Sequence, residues 1–324
     1  MHKYLGILAA AMMVACGGGG DDGTDTSSAG DDDDDDGCQD ILEFLPGDGE
    51  STVYYRTPIE FTLESTDGSE SITVEGVDGT SAIVDNKVVF TPSAPLAPST
   101  SYTVTLDWCG GPTTTTWTTS EVGGAADEST LSGGTYALDL GGGRFVTPAG
   151  IGPLIQAQLE QPILVGVTDS TGGELQMMGA LGLTDETQDM CTPSIDFPVP
   201  ADFTQNPYFV IAADSLTLDI EGVEIMIEDM IISGAFAPDG SYIDGATLAG
   251  SIDTRPLAGL LGDTGNPDAI CDLVVTLGVT CETCPDGTDY CLSVFVDSMQ
   301  AELVPGTLVA VDQAAIDANP DCGS

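Results

Sequence analysis

The chain has 324 residues, with 53 acids against 5 Lys and Arg and a formal charge of −48. That balance excludes nucleic-acid binding, which relies on Lys and Arg neutralising phosphates, and adhesion to anionic lipid through a basic patch. The one histidine is His2, so the rest of the chain lacks the base of Ser-His-Asp and Cys-His catalysis and has no imidazole for a metal.

His2 and Lys3 make a short basic start, and 4–14 is apolar apart from a tyrosine hydroxyl. The run is too short to cross a bilayer as a helix, which takes about 20 residues. With the small-residue site that follows, it reads as a secretory signal. Met13-Val14-Ala15-Cys16 resembles the lipobox of bacterial lipoproteins, with methionine where leucine is usual. The resemblance implies removal of 1–15 and a diacylglycerol on Cys16, so that the chain is tethered to a membrane without spanning it. Gly17 in place of aspartate resembles the default sorting signal to the outer membrane of double-membraned bacteria. The expected location is therefore the cell outer membrane, exported and lipid-anchored. Loss of 1–15 leaves Arg56, Lys87, Arg144 and Arg255 as the cations.

After the lipidated Cys16, residues up to 37 are Gly, Asp, Ser and Thr with one alanine, and 31–36 are all aspartate. Such a segment has nothing to bury and is expected as a disordered acidic linker, extended by like charge. At about 3.3–3.6 Å per residue it reaches at most roughly 70 Å. A calcium-binding tract is the alternative, but adjacent aspartates lack the glycine turn and ligand spacing of an EF-hand loop.

Residues 38–120 alternate short apolar runs with Gly, Pro, Asp and Ser. Strands are predicted near 40–45, 57–63, 70–75, 81–85, 87–92, 101–108 and 113–119. Seven short strands in such a span indicate an immunoglobulin-like β-sandwich. Phe61, Leu63, Val89, Tyr102, Val104 and Leu106 are its predicted core face. If successive strands alternate direction, Cys38 before the first and Cys109 after the sixth meet at one end, so a Cys38–Cys109 disulfide is expected. Val88-Val89-Phe90-Thr91-Pro92, Pro95-Leu96-Ala97-Pro98-Ser99-Thr100, Ser101-Tyr102-Thr103-Val104 and Thr116-Trp117-Thr118-Thr119 resemble the SbsA-type bacterial Ig-like domains, as does Pro46-Gly47-Asp48-Gly49. The resemblance implies a surface-exposed spacer or adhesion module with no shared active site.

Residues 121–129 read as a linker, and 130–324 as a larger disulfide-containing β-rich domain. Strands are predicted at 134–140, 143–147, 162–169, 174–184, 208–213, 215–221, 223–227, 229–237, 241–253, 290–297 and 299–304. Turns are expected at Pro238-Asp239-Gly240 and Pro285-Asp286-Gly287, with hairpin turns at Gly141-Gly142-Gly143 and around Glu221-Gly222. Helices are expected over 151–159, after Asn266-Pro267 with proline at the first helical position, and over 313–318. The fold class is mainly β: the Ig-like sandwich, then an antiparallel barrel or sandwich with a few short helices.

With Cys16 lipidated, Cys38, Cys109, Cys191, Cys271, Cys281, Cys284, Cys291 and Cys322 remain, an even number that in an exported protein indicates disulfides. Cys281-Glu282-Thr283-Cys284 could also be a redox pair or half of a zinc site, but a turn follows it where a redox centre needs a helix. Ring closure within 281–284 is strained, so each is expected to pair outward, to 271, 291, 191 or 322. Arg144 and Arg255, the cations of the second domain, are expected to pair with nearby carboxylates such as Asp139 and Asp253. The alternative is that they hold an anionic ligand. Met177, Met178, Met226 and Met230 are expected as core fillers.

No catalytic residue, metal or cofactor is expected. The first expectation is therefore a non-catalytic surface lipoprotein with a structural, adhesion or interaction role, its partners the membrane through the anchor and a protein or polysaccharide at the surface. The second is a carrier for an apolar or anionic small ligand in the C-terminal domain, and the third a carboxylate-based hydrolase. An apolar cavity points to the carrier, clustered carboxylates in a cleft to the hydrolase, and a filled core to the interaction module.

Overall fold

Alternation of apolar and polar residues becomes sheet along about half of the described residues. The structure, a computed structural model, describes residues 38–149, 161–220, 223–259, 266–276 and 278–322. The leader, Cys16, the acidic linker and the helix expected over 151–159 lie outside the described residues. Two compact units divide the chain, Met1–Cys38 and Gln39–Ser324, and of the first only Cys38 is described.

The first part of Gln39–Ser324 is a sandwich of seven strands, close to their predicted positions. They are β1 (Ile41–Leu45), β2 (Ile59–Leu63), β3 (Ser71–Val74), β4 (Gly79–Val84), β5 (Lys87–Pro92), β6 (Ser101–Asp107) and β7 (Thr113–Thr118). One sheet has the order β1-β2-β5-β4 and the other β3-β6-β7, with every pairing antiparallel. Phe61, Leu63, Tyr102, Val104 and Leu106 are buried as predicted, around Trp117. Val89 is a correction: in β5 it is Val88 and Phe90 that are buried, so Val89 sits on the opposite face.

Residues 121–129, read as a linker, are packed in place. Val122 is completely buried, Ala126 nearly so, and Asp127 caps a short helix, α1 (Glu128–Leu131), by accepting from the Ser129 amide.

The remainder contributes β8 (Thr135–Leu138), β9 (Arg144–Thr147), β10 (Ile163–Thr171), β11 (Glu174–Leu181), β12 (Ile195–Asp196), β13 (Ala201–Gln205), β14 (Tyr208–Ile220), β15 (Val223–Phe236), β16 (Tyr242–Asp253) and β17 (Cys291–Val304). Neighbours run β10-β8-β17-β16-β15-β14-β13-β11, and β11 pairs back onto β10. Eight antiparallel strands therefore close into a barrel, with β9 added on β17 and β12 on β11. Closure leaves no edge strand in the ring.

Three long strands were predicted in two pieces each. They run through; the predicted break at 298 falls on a residue with left-handed backbone, Ser298 (φ 57°) in β17, and the one at 228 lies beside another, Asp229 (φ 49°) in β15. At each, the buried face changes parity: Ile225 and Ile227, then Met230; Val296, then Met299. Such kinks bend strands and tighten a barrel. Met226 is a correction, because it faces outward and is 45% exposed between inward Ile225 and Ile227.

Two further helices follow, α2 (Ala269–Val275) and α3 (Gln313–Ala318). Pro267 is not the first helical position: Asp268 occupies the cap, and the Asn266 side chain accepts from the Asp268 amide. In α3 the Asp312 side chain accepts from the Ala315 amide. Gly141–Gly143 is a turn but not a hairpin, since β8 and β9 pair with β17 and not with each other.

The sandwich sits directly on the barrel. Ala235 and Ala237 of the barrel belong to the sandwich core cluster. The Tyr54 ring lies against Gly245 in β16, so closely that a Cβ there would stand 2.2 Å from ring carbons. Gly245 also has φ 57°, a conformation costly for other residues. Arg56 stacks 4.1 Å over the Tyr208 ring and donates to Gln205 at 3.1 Å. Asn206 brackets the Ala126 backbone, accepting at 2.7 Å and donating at 2.9 Å.

Candidate functional site

Inward positions of seven of the barrel's eight ring strands converge on a cavity of about 120 Å³. Leu138, Ile163, Val165, Met177, Phe209, Ile211, Met230, Ile243, Leu248 and Met299 supply its walls, and Ile195 and Phe197 from the segment around β12 complete it. Among the described residues its one polar side chain is Thr247, whose hydroxyl shares a 2.8 Å hydrogen bond with Ser233. An eight-stranded barrel is just wide enough to fill with side chains or to hold one small ligand. An apolar cavity of about 150 Å³ stays dry and takes benzene, so this one is sized for a single ring or a short alkyl segment.

Alternate residues of β10 and β11 point the other way. Leu164, Met178 and Ala180 form a second apolar cluster with Val304 and Leu308. Both faces of these strands are apolar, so the outer face requires a cover, and the C-terminal segment supplies it. Gln188 fixes that segment by donating to the Val309 carbonyl at 2.8 Å and accepting from its amide at 2.9 Å. The Val311 amide donates to Ser194, and the Cys191–Cys322 disulfide closes the arrangement.

Outside the cavity lies an open depression of about 400 Å³, lined by Ala137, Leu138, Asp139, Leu140, Gly141, Gln161, Pro162, Ile163, Glu186 and Glu302. Leu138, Leu140 and Ile163 line both spaces. Asp139 accepts from the Gly142 amide at 2.8 Å. Among the described residues no three His, Cys, Asp or Glu side chains form a group able to hold a metal.

The cysteines of the C-terminal domain are joined as Cys191–Cys322, Cys271–Cys281 and Cys284–Cys291. Cys281 and Cys284 thus pair outward, and their sulfurs are not available for zinc or dithiol chemistry. Cys38 and Cys109 are each disulfide-bonded as well.

The two candidate arginines are engaged by protein carboxylates. Arg144 forks onto Asp297, Nε to Oδ1 at 2.9 Å and Nη2 to Oδ2 at 2.7 Å, while Nη1 reaches Glu60 of the sandwich at 3.1 Å. Asp139, its expected partner, is not among these contacts. Glu60 also accepts from Lys87 at 2.8 Å. The Asp297 bond, set against partial burial, raises the Arg144 pKa above the usual guanidinium value. Arg255 forks onto Asp253 as expected and also reaches Asp286 at 2.8 Å. Asp286 is lowered to about 2, first by the Thr288 hydroxyl, then by the Thr288 amide and Arg255.

Sequence reasoning had Cys281 and Cys284 pairing outward but left their partners open, and it did not identify the residues that line the cavity. Its walls are ordinary Leu, Ile, Val, Met and Phe, and only the three-dimensional closure of the barrel distinguishes them from filler. The available signal was weak: Ile163-Leu164-Val165 and Met177-Met178 are apolar on both faces, which marks strands buried on two sides.

No protein-family model matches the chain, and no curated protein matches it. Among solved structures, an L,D-transpeptidase from Mycobacterium smegmatis matches at TM-score 0.26 and 13% identity, over 60% of this chain and 75% of that one. L,D-transpeptidase 1 of Mycobacterium tuberculosis matches at TM-score 0.22 and 12% identity, over 45% of this chain and 82% of that one. Both are named as enzymes, which stands against the expectation of a non-catalytic chain. At such TM-scores the likeness carries no argument for a particular activity.

Proposed function

We propose that this chain is an exported, surface-tethered binding protein whose barrel takes a small apolar ligand or the apolar end of a larger one. In this reading Cys16 carries the lipid anchor in the outer membrane, and the SbsA-like module is the spacer on which the barrel is seated. The observation that carries the reading is the apolar, partly open pocket inside the barrel. A fully enclosed void of this size costs roughly 3 kcal/mol at about 24 cal/mol per Å³ relative to a filled core, an upper bound for a pocket with a mouth. A ligand that fills it restores the missing contacts.

Titration calorimetry of the full chain with toluene tests the reading. One molecule is expected to bind per chain. Ala246 lines the void, so Ala246→Leu is expected to abolish binding while melting no lower than the wild type. Absence of toluene binding by the wild-type chain sinks the reading. Anchoring is tested separately: Cys16→Ser is expected to release the protein from the membrane fraction and to remove the mass of the acyl groups.

A further inference from the structure

The inner cavity and the outer depression differ in kind. The inner one exposes no polar surface, whereas the outer one is mixed and carries Asp139, Glu186 and Glu302. The two share Leu138, Leu140 and Ile163 and so adjoin, which puts the depression where the other end of a molecule anchored inside by its apolar end would emerge between these side chains. No Lys or Arg is among the described residues lining either space. The four described cations are held elsewhere: Arg56 on Tyr208 and Gln205, Lys87 on Glu60, Arg144 on Asp297 and Glu60, Arg255 on Asp253 and Asp286. The surrounding chain adds a strongly negative field, with 53 acids against 5 Lys and Arg.

We infer that the ligand is a cationic amphiphile, with an apolar ring or short chain in the barrel and an ammonium group at the carboxylates of the depression. This rests on the barrel being a ligand site, as proposed above, and adds the class of ligand. An anionic amphiphile such as a fatty acid is disfavoured twice, by the local carboxylates and by the field of the whole chain.

Three probes with one ring and different heads separate the possibilities: benzylammonium, benzyl alcohol and benzoate, titrated into the full chain at neutral pH with toluene as reference. Benzylammonium is expected to bind up to about fivefold tighter than benzyl alcohol, and benzoate more weakly than either. The preference is expected to shrink in high salt and in the double variant Asp139→Asn with Glu302→Gln, which retains toluene binding. If toluene binds but benzoate matches or exceeds benzylammonium, or if the double variant keeps the same preference, the inference is overturned while the barrel reading stands. If toluene itself does not bind, both fall.

Discussion

Replacing Arg144 by methionine is the most informative perturbation of the seam between sandwich and barrel. It removes two hydrogen bonds to Asp297 and one to Glu60, whose side chains are only 10% and 12% exposed. Asp297 then keeps the Ser298 hydroxyl and Glu60 keeps Lys87. Breaking one partner out of a fully buried pair costs about 3–5 kcal/mol. The Arg144 side chain is 35% exposed, so water reaches the stranded carboxylates and the cost falls to about 2–3 kcal/mol. For a folded unit of this length the unfolding entropy is roughly 0.6 kcal/mol/K, which converts that loss into a drop of about 3–5 °C in Tm. Scanning calorimetry reads the shift. A double-mutant cycle with Glu60→Gln assigns the part that crosses the seam. Arg144→Lys keeps the charge but not the fork, and is expected to fall between. An unchanged Tm, or a cycle with no coupling, refutes the view that this cation ties the two modules.

Gly245→Ala places a Cβ against the Tyr54 ring in a left-handed conformation. It is expected to lower Tm and to raise hydrogen exchange at the seam, and normal exchange there counts against the packing described. Asp244, in the same seam, accepts from Gln300, Ser120 and the Gly245 amide, but burial raises its pKa above the ordinary 3.8. The folded state thus binds the proton more tightly than the unfolded state, so this group's contribution to stability falls as pH rises from about 3.8 through the raised value. Asp244→Asn is expected to be the more stable form at neutral pH, with the advantage vanishing in acid; a variant less stable at pH 7 than the wild type contradicts this. Removing the Cys191–Cys322 bridge, which spans 131 residues, by a double substitution to serine removes up to about 5 kcal/mol in the chain-entropy model. The amides of Val309 and Val311 are expected to exchange faster, and unchanged protection would show that the tail holds without the bond.

Local chemistry was readable because strands need only alternation and turn residues. Both devices fix the seven sandwich strands and most of the barrel strands. The predicted breaks near 229 and 298 mark real features, since a polar residue in a left-handed kink looks like a strand end in one dimension. What escaped is non-local. β13 was missed between prolines although Ala201 and Phe203 alternate inward. Arg144 was assigned to a carboxylate close in sequence, whereas its partners lie 153 and 84 residues away. Residues 121–129 looked like a linker because all but Val122 are small or acidic, and only the three-dimensional packing shows Val122 buried in the sandwich core. The cavity is the extreme case, being a property of closure that no single residue carries.

Xenon binding to crystals of the full chain tests the central claim most directly. The expected result is one strong site between Met177, Phe209 and Met230, lost in Ala246→Leu. A barrel interior that is closed by side chains and takes up no xenon contradicts the claim.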